Sequence, residues 1–313
     1  MPATHRLSDE ERAARLDAAR NEMEAAVAGI VTGDDWQAWL AMQARLHHYS
    51  ANNCMWLLRQ SIVRGEPLEA VAGYRTWQSL GRQVRKGEKG WQVLAPVTRR
   101  VEPEEQEHPP EKKEGEPAQR RIVGFRVETV FDVGQTDGEP LPPSPASRCV
   151  RLDGTVDPAL ISAIEAVLAD AGCRVVRVDA EVAGWSPTQN GSTDVLTREV
   201  KVRAGMSSAQ EAKTLAHELA HVAMGHTGSD RRAEVEAESV AYLVLAGVGV
   251  NTAEYSYGYV ASWSGGDMEV VQASARAITA AATELSARID LALDRAQVVE
   301  DEDEDEDALV LSL

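Results

Sequence analysis

Ser207–Gly225 reads SSAQEAKTLAHELAHVAMG, and this stretch decides how the second half of the chain is read. A serine in front, Gln210 or Glu211 three residues on and a glycine behind are the start and stop signals of a helix. On that helix His217 and His221 stand four residues apart. At 3.6 residues per turn they share a face, so both imidazoles can reach one zinc ion. Glu218 falls beside the ion rather than on it, where its carboxylate can act as a base toward a water whose pKa the metal has lowered. A catalytic zinc needs a third protein ligand and keeps one position open. The next helix, capped by Asp230, offers Glu234, Glu236 and Glu238 on otherwise apolar sequence. Glu234 and Glu238 share a face and Glu236 lies on another, so the helix presents either Glu236 or that pair. His226, near the end of the first helix, is in reserve.

Outward from these helices the sequence predicts a helix over Pro158–Ala171, strands over Arg174–Val182 and Val195–Arg203, and a long last helix ending near Arg295. The first half opens with a helix over about Asp9–Ile30 and a second over about Asp35–Gln60, with Asp34 or Asp35 as its N-cap. GWQVLAPVTRR (90–100) and RIVGFRVETVFDV (121–133) alternate and are rich in β-branched residues, so they read as a pair of strands. Between them VEPEEQEHPPEKKEGEPAQ is too polar and proline-rich to fold, and DGEPLPPSPASR (137–148) has the composition of a linker. The expected organisation is α+β in two domains. Residues 1–148 form the first, with a disordered insert at about 101–120, and residues 149–295 form the second, with an acidic disordered tail at 296–313.

Charge separates the halves. The chain of 313 residues has a net charge of −18, but the unbroken acidic run Glu300–Asp307 holds eight of the negative charges. Trp36–Arg100 is net +7, with ten basic residues (Arg45, Arg59, Arg64, Arg75, Arg82, Arg85, Lys86, Lys89, Arg99, Arg100) against Glu66, Glu69 and Glu88. The same segment holds Trp36, Trp39, Trp56, Trp77 and Trp91, with Tyr49, Tyr74, Asn52, Asn53 and Gln60. Rings interleaved with cations suit a single nucleic-acid strand, because bases stack on the rings while cations follow the phosphates. Trp39 and Trp56 fall on apolar helix stripes and read as core. The loop GRQVRKGEKG presents Arg82, Arg85, Lys86 and Lys89 outward and reads as a phosphate contact. No apolar run is long enough to span a membrane, and the N-terminus lacks the apolar centre of a secretory signal. Cys54, Cys149 and Cys173 form no CxxC pair, which fits a reducing compartment. The protein is expected in the cytoplasm.

HYSANNCMWLLRQ, VAGYRTWQSLGRQVRKGEKGWQVLAP and VFDVGQTDGEPLP resemble, in order and spacing, the N-terminal single-stranded-DNA-binding domain of ArdC-type antirestriction proteins. HELAH, EVEAESVAYLV and YSYGYVASWSGG resemble the zincin-like metallopeptidase domain of the same family, and EAESVAYLV fits the third-ligand segment of zincins best with Glu236 as ligand. More loosely, this half is similar to the ImmA/IrrE type of regulatory metallopeptidase. The resemblance implies single-stranded DNA as partner, with Tyr49, Asn52, Asn53, Gln60, Tyr74, Arg75, Trp77, Arg82, Arg85, Lys86 and Lys89 as candidate contacts. It also implies one Zn2+ on His217, His221 and Glu236, Glu218 as catalytic base, and protection of incoming mobile-element DNA from restriction. Tyr255, Tyr257 and Tyr259 are candidates for stabilising an oxyanion. Two other readings stay open: a regulatory peptidase that cleaves a protein such as a repressor, and a pure DNA binder whose zinc is structural. The charged insert and the acidic tail depart from the family pattern.

Overall fold

The computed structural model describes residues 8–100, 120–141, 150–151, 155–179, 181, 183–186, 189–228, 230–251 and 261–310. In chain order the elements are α1 (Asp9–Ala28), α2 (Gly33–Arg45), α3 (Ala51–Arg64), β1 (Val71–Gly73), α4 (Tyr74–Ser79), β2 (Arg82–Val84), β3 (Trp91–Arg100), β4 (Arg120–Asp132) and β5 (Thr136–Gly138). They continue with β6 (Val150–Arg151), α5 (Pro158–Asp170), β7 (Arg174–Val178), β8 (Gly191–Asp194), β9 (Glu199–Arg203), α6 (Ser208–Met224), α7 (Arg231–Gly247), β10 (Val250–Asn251), α8 (Ala261–Ser264) and α9 (Met268–Val310). The fold is α+β, as the sequence reading has it.

Two compact units emerge. One joins the residues up to Ala28 with Met55–Pro140, and the other joins Gly29–Cys54 with the residues from Leu141 on. Gly29–Cys54 precedes the linker in sequence yet groups with the second unit, because α2 packs its tryptophans there. The Trp36 indole donates to Ser239 Oγ at 3.0 Å, and its ring lies 4.6 Å from Trp39 and 5.1 Å from Trp263.

In the first unit β4 is central, antiparallel to β1 on one side and β3 on the other, and β2 pairs with β5. Ala19, Met23 and Ala26 of α1 close over Trp56, with Leu94 and Val127 against them. Asp132 is buried and holds the corner after β4: its Oδ1 accepts from the backbone of Glu69 and Ala70, and its Oδ2 from Gly134. In the second unit β9 is central, parallel to β7 and antiparallel to β8. Helix α6 packs on β8 and β9 and against α5, α7 and α9. Ile164, Leu168, Val200, Val202, Leu215, Val240, Ile278 and Ile289 are fully buried there, each stabilising by about 1.5–3 kcal/mol. Arg177 of β7 reaches Glu165 of α5 and Glu211 of α6, both at 2.7 Å, and so fixes the start of α6 against the sheet.

Four expectations are corrected. The single helix over Asp35–Gln60 is two, because Ser50 caps a new helix: its Oγ accepts from Asn53 N and its carbonyl from Cys54 N. The N-cap of α2 is Thr32, and Asp35 completes a capping box from the third helical position, which holds its carboxyl below the usual range despite partial burial. The strand expected over Val195–Arg203 is the end of a hairpin, since Asp194 Oδ1 accepts from Leu196 N and Thr197 N and turns the chain into β9. The last helix runs through the acidic stretch to Val310, and no glycine or proline between Met268 and Val310 interrupts its ladder. The insert at 101–119 and most of the linker lie outside the described residues, though Asp137 and Gly138 belong to β5.

Candidate metal centre and nucleic-acid surface

Ser207 caps α6 by accepting from Gln210 N, and Gly225 ends it in the left-handed region at φ 67°. The His217 and His221 Nε2 atoms lie 3.1 Å apart. From α7, Glu234 brings one carboxylate oxygen to 3.4 Å from His217 Nε2 and the other to 3.6 Å from His221 Nε2. Metal–ligand bonds of about 2.0–2.1 Å at tetrahedral angles separate donor atoms by roughly 3.3–3.4 Å. The histidine–histidine edge and the two histidine–Glu234 edges, which end on different carboxylate oxygens, lie near that spacing, and the three side chains form a group that could hold one divalent ion. Among the described residues they are the one group of three or more ligating side chains that could hold a metal.

Outer partners occupy the other ring nitrogens. Glu238 Oε2 lies 2.9 Å from His217 Nδ1, and His226 Nδ1 lies 2.9 Å from His221 Nδ1. A carboxylate on Nδ1 selects the tautomer whose Nε2 lone pair faces the metal. Glu236 is not with the histidine pair. Two residues along α7 is 200° around the helix, which turns it toward α9. There it is buried, with Oε1 accepting from Arg232 Nε at 2.8 Å and Ser274 Oγ at 2.5 Å, and Oε2 at 3.1 Å from His226 Nε2. Of the two arrangements open to α7, the geometry takes the Glu234/Glu238 face, with Glu236 and the reserve ligand His226 as outer supports.

Burial drives the electrostatics. It would lower the His217 pKa, but hydrogen bonds to Glu234 and Glu238 outweigh it and push His217 up to about 10. Burial and the neighbouring His217 charge push His221 down to about 4. The bond to His217 lowers Glu234. Glu218 is 5% exposed, and burial raises it although Thr193 Oγ1 donates to its Oε2 at 2.7 Å. Its Oε1 borders Gly191, where a Cβ would come within 2.5 Å, so a larger residue there would have to displace the Glu218 carboxylate. A cavity of about 320 Å³ lined by Gln189, Asn190, Gln210, Lys213 and Thr214 opens beside Glu218 and His217. Sequence reasoning missed Thr193 and the outer roles of Glu238 and His226. The spacing of four between Glu234 and Glu238 is the signal that could have found one of them. Tyr255, Tyr257 and Tyr259 lie outside the described residues.

The basic segment is less uniform than it reads. All five of its tryptophans are buried at 0–1% exposure. Trp77, expected at the DNA, donates to the Phe131 carbonyl, and its ring is core. Arg82 donates to Thr136 Oγ1 and O and to the carbonyls of Gly138 and Glu139, which ties β2 to β5. Arg85 bonds Glu88, Asp137 and the Gly134 carbonyl. Gln60 bridges to both backbone groups of Gln92. Asn53 is buried and Tyr49 and Asn52 are half-buried, all three in the second unit, where burial pushes the Tyr49 hydroxyl up to about 12. Arg75, Lys86, Lys89 and Tyr74 are exposed, and Tyr74 stands beside Lys86 on an open groove of about 580 Å³.

Residues 18–131 match the family model for the N-terminal domain of anti-restriction factor ArdC. That stretch is an ArdC-type N-terminal domain. Two crystal structures of the antirestriction ArdC protein from the R388 plasmid, one metal-free and one with Mn(II) bound, are each 25% identical to the chain. They cover 80% and 79% of it and 85% of their own chains, with TM-scores of 0.47 and 0.46. No curated protein matches. The ArdC match ends at Phe131, so the histidine cluster stands on its own geometry. No helix among the described residues is long and apolar enough to cross a membrane.

Proposed function

We propose that this ArdC-type chain binds single-stranded DNA through its N-terminal domain and carries a zinc peptidase centre in the second, and that it protects incoming mobile-element DNA in the cytoplasm. The observation that carries the catalytic half is the set of donor spacings among His217, His221 and Glu234, with Glu218 buried beside them. These three residues would hold the ion, which supplies Lewis-acid activation of a water and a carbonyl. Glu218, its Oε2 anchored by Thr193, offers Oε1 to accept a proton from water. Burial makes it a stronger base than an ordinary carboxylate and shields the transfer from bulk solvent. The cavity beside it accommodates a side chain of an extended peptide, which favours a protein substrate over a purely structural ion.

The test pairs two measurements on the full chain. Fluorescence anisotropy with labelled single- and double-stranded oligonucleotides across a salt series reports DNA binding, which is expected to prefer single strands and weaken steeply with salt. Zinc content and hydrolysis of a peptide library report the centre, and Glu218→Gln is expected to keep the zinc and lose about 10²–10⁴-fold in hydrolysis. DNA protection that survives Glu218→Gln unchanged assigns protection to binding alone.

A further inference from the structure

The second unit holds a cavity of about 400 Å³ bounded by the end of α2, the end of α7 and the middle of α9. Its apolar part is made by Leu243 and Ala282, which are buried, with Ala44 and Ala287 beside them. It is separate from the metal centre. Gly247 on its wall lies thirteen residues from Glu234 along α7, about 20 Å at 1.5 Å per residue.

The polar groups of this wall are mostly acceptors. Thr279 Oγ1 and Thr283 Oγ1 spend their hydrogens on the carbonyls of Ala275 and Thr279, both at 2.8 Å, which leaves them lone pairs alone. Gln43 is 2% exposed and donates from Nε2 to the Tyr49 carbonyl at 3.0 Å, while its buried Oε1 accepts from no group among the described residues. Gly247 and Val248 close α7, whose last turn carries no basic residue to balance the partial negative charge of a helix C-terminus. Asp290 stands exposed on the α9 wall, and partial burial and the charge of Asp294 one turn on hold its carboxyl above the usual range. His47 and Ser286 complete the polar lining, and each can accept as well as donate. No lysine or arginine is among the described residues that line the cavity. Such a wall suits a ligand with an apolar body and a head that only donates, which describes a protonated amine. An anion would meet Asp290 and the α7 terminus as like charge.

We propose that this cavity binds a small amphipathic amine, with its hydrocarbon part on Leu243, Ala282 and Ala44 and its ammonium at Asp290. The site depends on neither the DNA-binding nor the peptidase reading.

The test is calorimetric titration of the full chain at about pH 8, where amines are protonated and carboxylates ionised, with three probes of one shape: 2-phenylethylamine, 2-phenylethanol and 3-phenylpropanoate. The amine is expected to bind about tenfold more tightly than the alcohol, and the carboxylate most weakly. Asp290→Asn is expected to cut the amine's advantage to about twofold or less while the alcohol keeps its affinity. Ala287→Leu, a helix-favouring change that fills the cavity beside Ala282, is expected to weaken amine and alcohol alike by about tenfold or more. An unchanged thermal melt of that variant shows α9 intact. Equal binding of amine and alcohol, an advantage that survives Asp290→Asn, amine binding that Ala287→Leu leaves untouched, or no binding of the amine at all each overturns the proposal.

Discussion

The α6–α7 centre and the β2 loop both read as functional, and they fare differently once folded. At the centre, three histidines and three glutamates bring ligating atoms within 2.9–3.6 Å of one another, several of them buried, and Glu218 is buried beside His217. Ionisable groups are costly to bury unless they pair or hold a metal, so such a cluster has few structural purposes. Around the β2 loop, the tryptophans are core and two of the four cations are bonded to the protein's own backbone and carboxylates. Aromatic and arginine side chains serve folds as readily as they serve DNA, so their presence decides little until their partners are known.

The largest effect that could break this contrast is at the histidines. His217→Ala with His221→Ala is expected to abolish zinc binding in a metal-content assay while leaving DNA affinity within about twofold, because the proposal gives the two jobs to different units. Trp77→Ala tests the other side. Loss of a fully buried indole that donates to Phe131 is expected to cost about 3–5 kcal/mol in denaturant unfolding. A Trp77→Ala protein with unchanged stability and weakened DNA binding would return that ring to the surface role.

Glu234 and Glu236 sharpen the contrast inside the centre. Glu234→Gln is expected to lose zinc outright, and Glu236→Gln to weaken it about 10–100-fold by loosening His226 and hence His221. The reverse order in a zinc titration would make Glu236 the ligand after all. In the metal-free site His217 is held up to about 10, so it carries a proton at neutral pH that zinc must displace. Zinc affinity is therefore expected to rise with pH toward 10 and fall below neutrality. Calorimetry in buffers of different ionisation enthalpy should register a released proton.

How much of this was legible follows from which physics is local. The HELAH helix, its Ser207 cap, its Gly225 stop and the β3–β4 pair are written in period and cap chemistry. The break between α2 and α3 depends on Ser50 taking a capping role within HHYSANN, where no glycine or proline marks it. Periodicity narrowed the third ligand to two faces of α7 and could go no further, because Ser274 of α9, which claims Glu236, lies 38 residues away in sequence. Thr193, 25 residues before Glu218, left no pattern at all.

The smallest effect is the most specific. Gln60 has the amide of a base-reading residue, and the fold spends both ends of it on β3: Oε1 accepts from Gln92 N at 3.0 Å, and Nε2 donates to Gln92 O at 2.9 Å. Gln60→Ala leaves those two backbone groups without side-chain partners. The site is only half-buried, so water can reach them and the loss stays near about 1 kcal/mol rather than the cost of a sealed, unsatisfied pair. Chemical unfolding should show that small loss of stability, and anisotropy should show DNA affinity unchanged. If affinity falls instead while stability holds, the amide leaves the backbone to meet a base, and the line drawn here between fold-building and DNA-reading residues in this segment moves back toward α3.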